Sequence, residues 1–440
     1  MPPWSLPSTL AGLLDAFRVC FTTPSFATFT ALVVGFLARP QARTVTGMLV
    51  GARLQHAWHY SRAHRFFSQA RWSADQLGLC LLEVIVATLV PQDAPLRVVV
   101  DDSLWKRSGR KVFGATWHHD PTATGRKRVA WGNAWVVVGV LVDLPCISHR
   151  SICLPVLARL WRPKQTATRL ELAVALVRLV AERYPNRAVH LVGDAAYAGS
   201  ALRQLPEQVT VTTRLRCDAA LYALAPPRQP SQRGRPPVKG KRLPELIVLA
   251  GMTSTRFTRA RVCCYGEQTT RMLAAFTCLW PGVFGARKVQ VVLVRKPGAP
   301  DGYDLALIST DLQASPVELV ERYAARWGVE VCFLESREVF GVGQARNRAQ
   351  RAVERTVPFG LVCMSLVIVW YGLHGQPSAD VARHRWRAPW YQRKHAPSVA
   401  DMLAALRRLL IASQYRPGVL VAPTLEELLE VQAAWAAAAA

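Results

Sequence analysis

The sequence predicts an α/β fold: a mixed-sheet core carrying a β-rich insertion, flanked by helical N- and C-terminal regions. Three observations predict it. Apolar, β-branched runs recur at Arg97–Leu104, Ala134–Pro145, Ile152–Val156 and Ala188–Asp194. An amphipathic helix, ATRLELAVALVRLVAERYP, lies between the third and fourth of these runs and stops before Pro185. Segments of apolar and polar alternation, RVCCYG, MLAAFTCLW, KVQVVLVRK and YDLALIST, then fall between 217 and 310. Strand, helix and strand in that order imply a sheet with helices on its faces.

Residues 1–92 read as helices, because FATFTALVVGFLAR, TVTGMLVGARL and QLGLCLLEVIVATLV are apolar at helical spacing. The stretch from His56 to Trp72 sets arginines among aromatics, so these helices are expected to bind DNA. The core is expected to be discontinuous, 93–216 with 305–375, around an insertion at 217–304. Within the insertion, 228–244 is rich in Pro, Gly and Arg and reads as a loop. Two helices follow, from Pro316 to about Phe340 and from about Arg351 to Leu373, before a basic, partly helical region at 376–440. The apolar run Val357–Leu373 is at the lower limit of membrane-spanning length and is expected to be a buried core helix.

Hydrophobic residues make up 51% of the 440, enough for a sizeable core. The chain carries 55 Lys and Arg against 29 acids, a net charge of +26. So positive a surface repels itself, and a polyanionic partner, nucleic acid first, is the usual reason to tolerate it. Ten cysteines are scattered without a Cys-x-x-Cys pair, against a zinc site or disulfide framework and in keeping with a reducing cytoplasm. The start, MPPWSLPSTL, has no basic region followed by an apolar run, so no secretory signal is expected.

Carboxylates stand where strands end. Asp101 and Asp102 close RVVV, and Asp194 closes AVHLVG. An unpaired carboxylate there is costly, and a cation relieves the cost. Glu330 belongs to a different pattern: Tyr323, Arg326, Glu330 and Arg337 stand at offsets of three, seven and fourteen. At 3.6 residues per turn these share one stripe of a helix, which suits an acid on a metal flanked by guanidinium groups on phosphates. Lys106 and Arg107 follow the first acids closely and are candidate phosphate contacts.

The order Tyr, Arg, Glu, Lys at this spacing resembles the signature of insertion-sequence DDE transposases, in the branch that moves DNA by cut and paste. Here Arg337 stands where the family has Lys. Val100-Asp101-Asp102-Ser103 is similar to the family's strand ending in Asp-Asp-Thr, and LVGDAAY around Asp194 to its second acidic motif. The resemblance covers about residues 95–345. It implies a ribonuclease-H-like core whose catalytic, metal-holding residues are Asp102, Asp194 and Glu330, with Asp101 as a substitute for Asp102. Tyr323, Arg326 and Arg337 would then hold phosphates of the scissile end. Two Mg²⁺ ions are implied, with Mn²⁺ as a substitute, because oxygen ligands alone suffice for them. The partners implied are double-stranded DNA, as terminal inverted repeats and target, and a second copy of the chain in a homodimer. No membrane partner is expected, and a bacterial, cytoplasmic, nucleoid-associated location is. The alternatives are a nuclease of this fold that does not rejoin DNA, and a catalytically idle DNA-binding descendant.

Other candidates carry less. Trp117-His118-His119-Asp120 reads as a turn-like, DNA-facing loop rather than a metal cluster, since adjacent histidines seldom share one ion. Trp280 and Trp327 could stack on a base, but core packing is the expectation for Trp327, off the acidic stripe. His190, inside an apolar strand, is expected to be a satisfied core histidine.

Overall fold

The computed structural model describes residues 6–39, 43–120, 128–164, 167–227, 235, 237–299 and 302–414. The C-terminal alanine run, with the rest of 415–440, and residues 228–234 and 236 of the basic loop lie outside the described residues.

Five helices come first: α1 (Ser8–Asp15), α2 (Thr23–Ala38), α3 (Val45–Gly51), α4 (Tyr60–Ser68) and α5 (Ala74–Leu89). Strands β1 (Leu96–Lys106), β2 (Thr116–His119), β3 (Val129–Val142) and β4 (Ile152–Trp161) follow. Next are α6 (Arg169–Arg183), β5 (Val189–Gly193) and β6 (Val209–Arg214). The middle of the chain holds α7 (Leu246–Gly251), β7 (Thr258–Cys264), β8 (Glu267–Leu279), α8 (Pro281–Phe284), β9 (Lys288–Arg295) and β10 (Leu305–Ser309). The last helices are α9 (Pro316–Ala325), α10 (Trp327–Glu338), α11 (Gln350–His374), α12 (Pro377–Arg387) and α13 (Val399–Gln414).

Among the described residues all the strands join one ten-stranded sheet, ordered β2-β3-β1-β5-β6-β10-β9-β8-β7, with β4 also on β3. β1, β5 and β6 run parallel, while β3 is antiparallel to β1, and β4 to β3. This mixed sheet with helices on its faces is the α/β, ribonuclease-H-like arrangement the sequence predicts. β3 is buried almost throughout, as its unbroken run of valines requires. The capping box expected of a good helix start is present in α6, where Thr168 and Glu171 satisfy each other's backbone amides.

β10 pairs antiparallel with β6, and through it β9, β8 and β7 of the β-rich segment extend the core sheet outward. One feature differs from the sequence reading. The Glu330 helix is two helices, α9 and α10, joined at Arg326, whose backbone stays helical. The joint is tightened by three-residue bonds, Arg326 N to Tyr323 O at 3.1 Å and Val329 N to Arg326 O at 2.9 Å. Just beyond it Gly328 lies against the Ser151 carbonyl, where an added Cβ would come within 2.9 Å.

α11 is long and apolar enough to cross a membrane, yet 89% of its apolar window is buried inside the protein. It packs on β4, α5, α4 and α13, and Ser365 Oγ donates to the Pro155 carbonyl at 2.9 Å. Arg355 of α11 donates to the carbonyls of Phe67, Ala70 and Trp72, closing the end of α4. Phe66, Phe67 and Trp72 are buried there, so the aromatics of the His56–Trp72 segment serve the same core as the sheet.

Candidate active site

Side chains of β1 alternate between the two faces of the sheet, and each face meets a different helix. Arg326 Nη1 donates to Asp101 Oδ2 at 3.0 Å, Arg337 Nη1 donates to Ser103 Oγ at 2.7 Å, and the Trp105 and Phe333 rings meet edge to face at 5.9 Å. Asp101, Ser103 and Trp105 therefore face the α9–α10 joint and α10. Val100, on the opposite face, packs with Leu170, Ala173 and Val174 of α6. Asp102 shares that face: its Oδ1 accepts from Tyr197 Oη at 3.0 Å, and its Oδ2 lies 3.3 Å from Arg169 Nη1.

Glu330 enters through Arg326, whose Nη2 donates to Glu330 Oε1 at 2.7 Å. One guanidinium thus joins the acid of α10 to an acid of β1. The β1 acid that this guanidinium reaches is Asp101 and not its neighbour Asp102, because adjacent strand residues face opposite sides of the sheet. Asp194 caps the 3₁₀ turn Ala195–Tyr197, its Oδ1 accepting the Ala196 amide at 2.8 Å. Thr213 Oγ1 donates to the Asp194 carbonyl at 2.7 Å and fixes the chain there. β1 and β5 pair in register up to Val99 opposite Val192. Two residues further on, that register sets Asp101 beside Asp194.

Burial raises the proton affinity of two of these carboxylates, Asp101 and Asp102. Burial pushes Asp101 up to about 7, with Asp194 and Asp102 adding to the rise and Arg326 opposing it. Burial likewise raises Asp102, against Arg169 and Tyr197. For Arg326, burial disfavours the charge, but Glu330 and Asp101 outweigh it and hold the guanidinium above its ordinary value. Burial and the nearby carboxylates push the Tyr197 phenol upward, so it stays a proton donor to Asp102.

Such a set fits a divalent ion with hard, oxygen-seeking character, since it offers carboxylates and no thiolate or imidazole. Among the described residues, however, no three His, Cys, Asp or Glu side chains are gathered closely enough to hold an ion. Arg326 lies between Asp101 and Glu330, and its guanidinium neutralises both.

Tyr323 and Arg326 are brought together, with the guanidinium 5.6 Å from the ring centroid, and burial raises the phenol's pKa. Lys106 points outward and pairs with Asp120 at 2.9 Å. Arg107 is turned inward. Its Nε donates to Asn133 Oδ1 at 2.9 Å and its Nη1 to the carbonyls of Gly343 at 2.6 Å and Ala345 at 2.7 Å, while burial lowers its pKa to about 10. Gly343 adopts φ +93° against the Trp105 ring, a conformation and a closeness that favour glycine.

His118 is buried beside Thr116 and Trp161, and Thr116–His119 forms strand β2 rather than a turn. His190 bonds Thr210 Oγ1 at 2.6 Å, a satisfied histidine as expected. Trp280 is buried against Phe284, whereas Trp327 is half exposed at the rim of a cleft, edge-on to Tyr265 at 6.0 Å. Sequence reasoning missed Arg169 and Tyr197. Tyr197, three residues after Asp194, carried a signal in its spacing; Arg169 carried none, because only the fold brings α6 to Asp102.

The profile of the DDE superfamily endonucleases matches residues 16–280, a span that includes β1 and Asp194 and ends before α10. No curated protein matches the chain significantly. The match covers more than half of the sequence, and the chain belongs to the DDE superfamily endonuclease family.

Proposed function

We propose that this endonuclease is a cut-and-paste DNA transposase, which cleaves the ends of an insertion sequence and joins the released 3′-hydroxyls to target DNA. The observation that carries the reading is the Asp101–Arg326–Glu330 bridge beside Asp194. It sets the Tyr323, Arg326, Glu330 and Arg337 pattern against the acidic strand end. The metal-holding acids in this reading are Asp194, Glu330 and, by the pleat of β1, Asp101 in place of Asp102. Bound divalent ions, Mg²⁺ or Mn²⁺, would activate the attacking oxygen and stabilise the leaving one. Tyr323, Arg326 and Arg337 supply phosphate contacts, and Lys106 a peripheral one. Asp102, held by Tyr197 and Arg169, keeps the strand end fixed from the other face. Arg107 positions β1 against 343–345 and contacts no DNA in this proposal.

The proposal assigns catalysis to 93–216 with 305–375. The strands of 217–304 and the basic regions at 1–92 and 376–440 bind DNA around the cut, and two copies act together on the two ends. The family's endonuclease activity also suits a nuclease that never rejoins. Precleaved, 3′-hydroxyl-ended DNA separates the two: joining to a target plasmid supports the transposase, and cleavage without any joining supports the nuclease.

A further inference from the structure

α12 and the turn after it are fastened from beneath by two carboxylates. Asp380 accepts from Tyr371 Oη at 2.8 Å and from Arg408 Nη2 at 2.5 Å. Asp401 accepts from the Ser398 amide and hydroxyl, each at 2.7 Å, and lies 2.5 Å from Lys394 Nζ and 3.1 Å from His384 Nδ1. Arg385 Nε donates across the turn to the Lys394 carbonyl at 2.9 Å. The inner polar groups are thereby occupied.

Its outer side chains are of another kind. Trp386 is 83% exposed, Trp390 74% and Tyr391 59%, all within six residues of chain. Among the described residues, Arg387 and Arg393 have no partner, and Arg383 reaches only to 3.5 Å from Asp380, which Arg408 and Tyr371 already serve. A fixed platform of aromatic faces set among guanidinium groups matches bases and phosphates. Duplex DNA hides its base faces, so the partner must be unpaired. A second copy of the same face would set these arginines against one another. Tryptophan, tyrosine and arginine also suit an anionic membrane surface, which is the competing partner that vesicles test.

We propose that α12 and residues 388–393 bind an unpaired DNA strand, stacking its bases on Trp386, Trp390 and Tyr391 and holding its phosphates with Arg383, Arg387 and Arg393. The proposal rests on the reading of the chain as a DNA-cutting enzyme. It also fits the surroundings. Pro397, Ser398 and Met402, just beyond the platform, line a cleft of about 630 Å³ together with Trp327 and Val331 of α10.

The test uses full-length protein in EDTA, with a fluorescent oligothymidylate, the corresponding duplex and phosphatidylserine vesicles as probes. The double variant Trp386→Ala/Trp390→Ala is expected to lose about tenfold or more in single-strand affinity while duplex affinity changes little. Trp386→Phe/Trp390→Phe, which keeps the rings, should recover most of the loss. Unchanged single-strand affinity in the alanine variant overturns the proposal, as does an equal loss on duplex, or vesicle binding that depends on these residues when DNA binding does not. Wild-type protein that binds no DNA at all overturns the functional reading as well; wild-type binding with an indifferent platform overturns the platform alone.

Discussion

Arg326 and Asp101, 225 residues apart in sequence, meet at 3.0 Å through Nη1 and Oδ2, and the same guanidinium holds Glu330 at 2.7 Å. The α9–α10 joint and β1 are thus tied by charge where they carry their acids. Arg326→Gln removes the neutralising charge from two carboxylates and is expected to lower stability in EDTA by about 1–3 kcal/mol. Added Mn²⁺ should then stabilise the variant more than it stabilises wild type. Denaturant melts with and without Mn²⁺ measure both effects, and a variant as stable as wild type in EDTA refutes the bridge's role.

Asp101 and Asp102 make a sharper comparison. If Asp101 is the ligand, Asp101→Asn lowers the cleavage rate by about a thousandfold or more, in line with loss of a group acting on the reacting charge. Asp102→Asn, which keeps a partner for Tyr197, should cost about tenfold or less. Single-turnover cleavage rates of the two variants decide it, and the reverse order restores Asp102 as the ligand.

Arg107 is predicted to matter for the fold. Arg107→Ala leaves Asn133 and the carbonyls of Gly343 and Ala345 without their donor and should destabilise the protein by about 2–4 kcal/mol. Lys106→Ala removes the cation 2.9 Å from the buried Asp120 carboxylate and should cost less, about 1–2 kcal/mol. Urea midpoints test both, and a weakened DNA affinity with normal stability for Arg107→Ala contradicts the assignment.

Much of this arrangement was legible in the chain. The β-branched runs fixed the strands of β1, β3 and β5, and helical spacing placed Arg326 four residues before Glu330, where the two now bond. What was not legible depends on long-range placement. Whether Asp101 or Asp102 faces α10 is a question of which face of β1 that helix covers. Arg107 looked like one more exposed cation, because its acceptors lie 236 and 238 residues away. That β10 extends the core sheet also follows from pairing with a distant strand, which local alternation does not encode.

Burial pushes the Glu335 carboxyl of α10 up to about 7. Its folded-state pKa is above the unfolded value near 4.5, so this group costs nothing at pH 4. The cost grows as pH rises from about 4.5 to about 7, and is constant above that. Glu335→Gln should therefore be neutral at pH 4 and stabilising by about 1–2 kcal/mol at pH 8, allowing for solvent screening. Urea unfolding of both proteins at the two pH values checks the sign, and a loss of stability at pH 8 contradicts it.

The central claim is that the carboxylates around Asp194 cut DNA with a divalent metal. Its most direct test is nicking of a supercoiled plasmid carrying the DNA that flanks this protein's own gene, by wild type and by Asp194→Asn, in Mg²⁺ and in EDTA. Wild type should cleave in Mg²⁺ alone, and Asp194→Asn should bind the plasmid with unchanged affinity and not cleave it. Cleavage by Asp194→Asn at the wild-type rate, or cleavage by wild type in EDTA, would contradict the account.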